Sequence, residues 1–190
     1  MDGQPRLIVI GGANGSGKTT LAREYISVEN LPYLGADQIA FELNPANVES
    51  VAIEAGRLFI KHISDRIERK GSFIVESTLS GMSLRKWVRR AQDANYTVKI
   101  AFVYLDDASL CIERVAARVA RGGHHVPAED IERRYHRSNR NFWEHYKNDS
   151  SAWELYNNTG DALVLVASGD DCDTIVSDTA RFDIWLKMVN

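Results

Sequence analysis

Residues 6–26 read RLIVIGGANGSGKTTLAREYI. Leu7 to Ile10 form a short apolar run that stops at Gly11-Gly12, as a buried parallel strand would, and Leu21 and Tyr25 then recur at helical spacing. The order is strand, glycine loop, helix. Between strand and helix, Gly12-Ala13-Asn14-Gly15-Ser16-Gly17-Lys18-Thr19 matches GxxxxGK[ST] at every fixed position, and Thr20 follows. Each fixed residue has a mechanical task. The glycines let backbone N–H groups turn inward around a phosphate, and the helix N-terminus adds positive potential. Lys18 reaches the β- and γ-phosphates, and Thr19 can ligate Mg²⁺. With glycine near 7% of an average chain, such a match arises by chance in under about 1% of chains of this length. A turn that merely joined strand to helix would not need the Lys-Thr pair. The stretch predicts a nucleoside triphosphate site, for ATP or GTP with Mg²⁺, with residues 12–20 as its phosphate cradle.

Outward from the loop, apolar runs alternate with helical patterns. The spacing predicts a long helix over residues 47–70, a strand at 72–76 and a helix carrying Leu84, Trp87, Val88 and Ala91. A strong strand follows at 97–105 (TVKIAFVYL), then helices over 108–121 and 127–147, weaker strands near 153–156 and 162–166, and a closing helix striped by Phe182, Trp185, Leu186 and Val189. Alternating βα units imply an α/β fold of the P-loop NTPase kind. Its mostly parallel sheet would have five or six strands, with helices on both faces. No linker or repeat divides the chain, so one domain over residues 1–190 is expected, with a helical lid over about 108–147.

The bulk composition suits one globular domain: 190 residues, 44% hydrophobic and 26% charged, with a formal net charge of -3. The apolar fraction argues against disorder, and no apolar run approaches the ~20 residues of a membrane span. The charged start MDGQPR has no signal-peptide core, so a cytoplasmic protein with reduced thiols at Cys111 and Cys172 is expected. Near-neutral charge argues against a general nucleic-acid binder.

In folds of this class ligands sit at the carboxyl ends of the strands. That rule gathers Asp37, Glu76, Thr78 and Asp106 on the side of Lys18. A carboxylate there needs water, a cation or a donor. Asp37 is read either as a site carboxylate or as the N-cap of a helix opening at Gln38. Glu76 would orient a metal-bound water or accept from a substrate hydroxyl. Asp106 and Asp107 end the fourth strand and read as caps of the next helix.

Two helices then carry arginines opposite apolar stripes. Arg114, Arg118 and Arg121 share one face of the first, and Arg133, Arg137 and Arg140 share one face of the second. Between them, Gly122-Gly123-His124-His125-Val126-Pro127 reads as a hinge, and the pair as a hairpin that closes over a nucleotide. Solvated faces are the plain alternative, but phosphoryl transfer calls for arginine charge, and Arg114, Arg118 and Arg121 are the favoured phosphate contacts. His124 and His125 lack the ligand spacing of a zinc site.

GGANGSGKTT (11–20), GADQIA (35–40), ESTLSG (76–81), the run from Glu113 to Phe142 with its GGHHVP, and LYNNTG (155–160) together resemble the zeta toxin family of P-loop kinases. They are similar in particular to a bacterial branch of it with a GGHxVP lid. The resemblance covers roughly residues 6–160. It implies an ATP-dependent kinase for a small molecule, such as UDP-N-acetylglucosamine, and an antitoxin protein as partner. By the same resemblance Lys18 and Thr19 are the phosphate-loop pair, Asp37 takes the acceptor hydroxyl proton, and Glu76 and Thr78 hold the acceptor. Arg118 and Arg121 fall in the arginine-bearing lid, with Arg114 a further candidate there, and Asn158 falls beside the adenine. A different sugar, a nucleoside or an antibiotic as acceptor is the alternative within kinases, and a nucleotide-gated protein-binding ATPase is the alternative outside them.

Overall fold

The computed structural model describes residues 3–170 and 172–189. The elements run β1 (Arg6–Gly11), α1 (Lys18–Glu29), β2 (Tyr33–Gly35), α2 (Ala36–Leu43), α3 (Ala52–Glu68), β3 (Phe73–Ser77), α4 (Ser83–Asp93), β4 (Thr97–Tyr104) and α5 (Ala108–Val119). They continue with α6 (Ala128–Asn141), β5 (Ala152–Asn157), β6 (Val164–Asp170), β7 (Thr174–Val176) and α7 (Thr179–Val189). One seven-stranded sheet has the order β2-β3-β1-β4-β5-β6-β7. Its first five strands are parallel, and β6 and β7 are antiparallel.

Strand β1 lies centrally between β3 and β4, which explains why it reads as a continuous apolar run. Leu7 and Val9 face the larger core, with Phe59 and Ile63 of α3, Val88 of α4 and Trp185 of α7. Ile8 and Ile10 face the other side, under Leu21 and Ala22 of α1. The sheet is thus sandwiched, and its strand ends stand free where β1 gives way to the loop.

Several boundaries differ from the sequence reading, each for a local reason. The long helix opens as α-helix at Ala52, after a 3-10 turn at Glu49–Val51. Asn44 and Asn47 side chains accept from the backbone N–H groups of Asn47 and Ser50, which holds that segment in turns. Helix α5 stops at Val119, closed by the Gly123 N–H donating to the Arg118 carbonyl. Helix α6 changes at Phe142 into a π turn through Tyr146, where Phe142 stacks on Phe102 at 4.4 Å and the Tyr146 hydroxyl donates to the Gly81 carbonyl at 2.7 Å. Asp107 alone caps α5, accepting from the Ser109 N–H at 2.7 Å. Asp106 instead accepts from Asn157 Nδ2 at 2.7 Å and ties the end of β4 to the end of β5. The seventh strand, β7, is three exposed residues long and has no pattern for a sequence reading to find.

Helices α5 and α6 form a helical hairpin, with Val115, Val126, Ile131 and Tyr135 packed together. Ala13 of the glycine loop joins the same cluster, and the Tyr135 hydroxyl donates to the Leu105 carbonyl at 2.8 Å. The hairpin is therefore rooted on the loop and on the end of β4.

Candidate active site

The glycine loop crosses from β1 to α1 with Ala13, Asn14 and Ser16 buried. Its tightest point is Gly17, at φ 103, where an added Cβ would collide with Asn158 Nδ2. Both the conformation and the space demand glycine there. The reason for the crowding is a brace: Asn158 Nδ2 donates to the Ser16 carbonyl at 2.8 Å. Asn158 is itself fixed by its place after β5, where the Arg114 guanidinium donates to the Asn158 carbonyl at 2.7 Å.

Lys18 is 8% exposed, and its Nζ donates to the Ala13 carbonyl at 2.9 Å. Burial holds its pKa below the ordinary lysine value; Glu76 and Asp37 pull it back up, and Arg118 pushes it down. The lysine charge is thus short of solvent, and three charged groups bear on it from different elements. Ser16 Oγ is buried with no hydrogen-bond partner among the described residues. A buried cation and an unused hydroxyl, at the start of a helix, suit phosphate oxygens.

Across the loop, Thr19 Oγ1 donates to Glu76 Oε1 at 3.2 Å, and the Tyr33 hydroxyl donates to Glu76 Oε2 at 2.6 Å. With its proton turned to a carboxylate, the Thr19 oxygen has its lone pairs free for a cation. The donor set fits Mg²⁺, a hard ion that takes one or two protein oxygens with water and substrate phosphates for the rest. Among the described residues no group of three or more His, Cys, Asp or Glu side chains is placed to hold a metal by itself.

A cavity of about 320 Å³ opens beside these groups. Lys18, Asp37, Glu76, Thr78 and Arg134 all line it. Asp37 stands in the first turn of α2, whose N-cap is Gly35, so the aspartate is no cap; its exposed carboxylate has no hydrogen-bond partner among the described residues. Thr78 Oγ1 lies 2.9 Å from Ser80 Oγ. A second cavity, of about 360 Å³, meets the first at Asp37 and Arg134, walled by His124 and His125 of the hinge and by Val48 and Ala52.

The lid arginines are placed unequally. Arg118 donates to the His124 carbonyl at 2.7 Å, with Nε buried and without a partner among the described residues, and holds the hinge loop above the second cavity. Arg121 bends back to the Ala117 carbonyl at 3.1 Å. Arg114 points to the 158–159 carbonyls and lies outside the cavity that Asp37, Glu76 and Thr78 share. Thr20 sits exposed in the first turn of α1. The arginine that does reach the site is Arg134, whose NH1 donates to Asn14 Oδ1 at 3.2 Å and which lines both cavities. Sequence reasoning passed over it, although a signal exists. Arg134 is three residues from Ile131 and four from Ser138, so it interrupts the inward stripe of α6 with a charge.

The family model described as zeta toxin matches residues 1–165, and the chain belongs to that family. An uncharacterized protein of Haemophilus influenzae is 32% identical over 132 residues, which is 70% of this chain and 94% of that one. In fold the chain is similar to a chain of the AvrRxo1-ORF1:-ORF2 complex solved with ATP, with a TM-score of 0.76 at 17% identity. That match takes in 100% of this chain and 65% of the other, so the chain spans about two thirds of the AvrRxo1 chain's length. It is similar also to a chain of the PezAT toxin-antitoxin system of Streptococcus pneumoniae, with a TM-score of 0.67 at 18% identity over 98% of this chain and 79% of that one. Among the described residues no helix is long and apolar enough to cross a membrane.

Proposed function

We propose that this member of the zeta toxin family is an ATP-dependent kinase that moves the γ-phosphoryl group of ATP to a hydroxyl of a small molecule in the cytoplasm. One observation carries the reading: a phosphate-loop lysine, an exposed aspartate, a carboxylate-threonine pair and an arginine line one cavity. A triphosphate held by residues 12–20 has its far end at Lys18, and Asp37 offers a free carboxylate across the same space. Its role is to orient the acceptor hydroxyl in line and receive its proton as the transfer completes. Glu76, Thr78 and Ser80 present a carboxylate and two hydroxyls to the rest of the acceptor, a lining suited to a polyhydroxylated molecule. Lys18 and Arg134 answer the negative charge that develops on the phosphoryl oxygens, and closing of the lid brings Arg118 and Arg121 toward the same charge. Mg²⁺, at Thr19 and near Glu76, supplies neutralisation of the phosphate oxygens when bound.

UDP-N-acetylglucosamine is the acceptor this reading favours. The two cavities that meet at Asp37 give room for more than a monosaccharide, within the range of small-molecule sites. A protein antitoxin that covers the loop is the corresponding partner. The test separates binding from transfer. Asp37→Ala should abolish phosphoryl transfer while ATP affinity stays within about twofold of the parent. Transfer at the parent rate would remove Asp37 from the reaction.

A further inference from the structure

Glu76 receives two hydrogen bonds, one on each oxygen and from opposite sides. Thr19 comes from the first turn of α1; Tyr33 comes from β2, one edge strand of the sheet. The Thr19 contact belongs to the metal site described above, but the Tyr33 contact is not required by packing. The Tyr33 ring lies on the α1 face of the sheet beside Tyr25, Ile26 and Leu31, and a phenylalanine would fill that place equally well.

The local backbone is built to let the hydroxyl through. β2 pairs with β3 so that Gly35 stands opposite Glu76, and Tyr33 is two residues earlier on the same face. A Cβ at Gly35 would come within 2.8 Å of the Tyr33 hydroxyl oxygen. The absence of a side chain at residue 35 is what lets the phenol run along the strand to the carboxylate. Burial, with the negative charge of Glu76 and Asp37 beside it, pushes the Tyr33 phenol well above its ordinary value, so it remains a donor.

We propose that Tyr33 is a positioning residue for the metal: by holding Glu76 Oε2 it keeps Oε1 turned to the Thr19 hydroxyl, and so keeps the Thr19 lone pairs turned to the ion. The inference rests on the reading of Thr19 and Glu76 as the Mg²⁺ side of a nucleotide site. Groups one step behind a metal's own ligands fix orientation, and their loss typically costs about 10–100-fold in metal affinity or activity.

The test uses binding and needs no acceptor. A fluorescent ATP analogue, mant-ATP, is titrated into the parent, Tyr33→Phe and Glu76→Gln, once in EDTA and once in Mg²⁺. The ratio of the two Kd values is the contribution of the metal. In Tyr33→Phe this ratio should fall by about tenfold, with the Kd in EDTA unchanged. If Glu76→Gln loses the metal contribution while Tyr33→Phe keeps it, Tyr33 only packs and the inference fails alone. If Glu76→Gln also keeps it, the metal reading of Glu76 fails and takes the inference with it. A Kd that worsens equally in EDTA and Mg²⁺ in Tyr33→Phe would mark a structural role and likewise overturn the proposal.

Discussion

Lys18 shows what the site costs the fold. A buried ammonium whose single hydrogen bond among the described residues goes to the Ala13 carbonyl is poorly compensated, and its lowered pKa records that strain. Unfolded, the lysine holds its proton up to about the ordinary value of 10.5. In the window between the lowered native value and 10.5 the unfolded chain binds more protons, so stability rises with pH there. Lys18→Met should therefore raise the melting temperature of the ligand-free protein. About 1 kcal/mol would appear as about 2–4 °C for a chain of this size. Thermal denaturation should show the gain at neutral pH and show it shrinking as pH approaches 10.5. The same variant should lose the stabilisation that ATP confers on the parent. This residue and its neighbours were legible in the sequence because their task is local: consecutive backbone N–H groups, a lysine and a threonine act within one turn. Glu76 was legible as a carboxylate at a strand end. Its partner Tyr33 was not, because that contact spans 43 positions of sequence and depends on the register of β2 against β3.

At the scale of elements the lid hairpin is the telling case. The two amphipathic helices, their glycine hinge and the break that Arg134 makes in the stripe of α6 could all be read from spacing, but the partner that this arginine reaches could not. Periodicity sorts residues into faces, whereas the choice between Arg133 and Arg134 turns on how far α6 is rotated against the loop. Both arginines pair with Asp130, Arg133 at 2.7 Å and Arg134 at 3.7 Å, but Arg133 stays on an exposed face whereas Arg134 goes on to reach Asn14. Arg134→Ala should lower kcat by about 10²–10³ with little change in stability, since it removes charge aimed at the transferring group. Arg133→Ala should leave kcat at the parent value, because an exposed ion pair contributes under about 1 kcal/mol to the fold. Steady-state kinetics on the two variants side by side makes the comparison. The interruption of α6 at Phe142 was illegible for a related reason. A helical stripe continues through Tyr146, and only the aromatic rings of β4, β5 and α7 around it impose the wider turn.

Over the whole molecule, the order of the five parallel strands brings the ends of β1, β2 and β3 to one edge of the sheet, and the site residues follow from that placement. Alternating apolar runs foretold the parallel sheet and its two helical layers. They gave a weak strand near β6 but did not foretell its antiparallel pairing, and they missed β7, whose three residues are exposed and carry no pattern. The near-neutral net charge of -3 is likewise an average over unlike regions. Arg85 and Arg89 share Asp149, and Arg90 pairs with Glu68, while Lys18, Arg118 and Arg134 gather around the loop. On the proposed function, a site so arranged passes a phosphoryl group to a bound hydroxyl. The most direct measurement is mass spectrometry after incubating the protein with Mg-ATP and a panel of UDP-sugars, free sugars and nucleosides, in parallel with Asp37→Ala. The account predicts that an acceptor of the panel, UDP-N-acetylglucosamine foremost, gains the mass of one phosphoryl group with the parent and none with the variant. ATP consumed at equal rates by both proteins, with every acceptor unchanged, would contradict it.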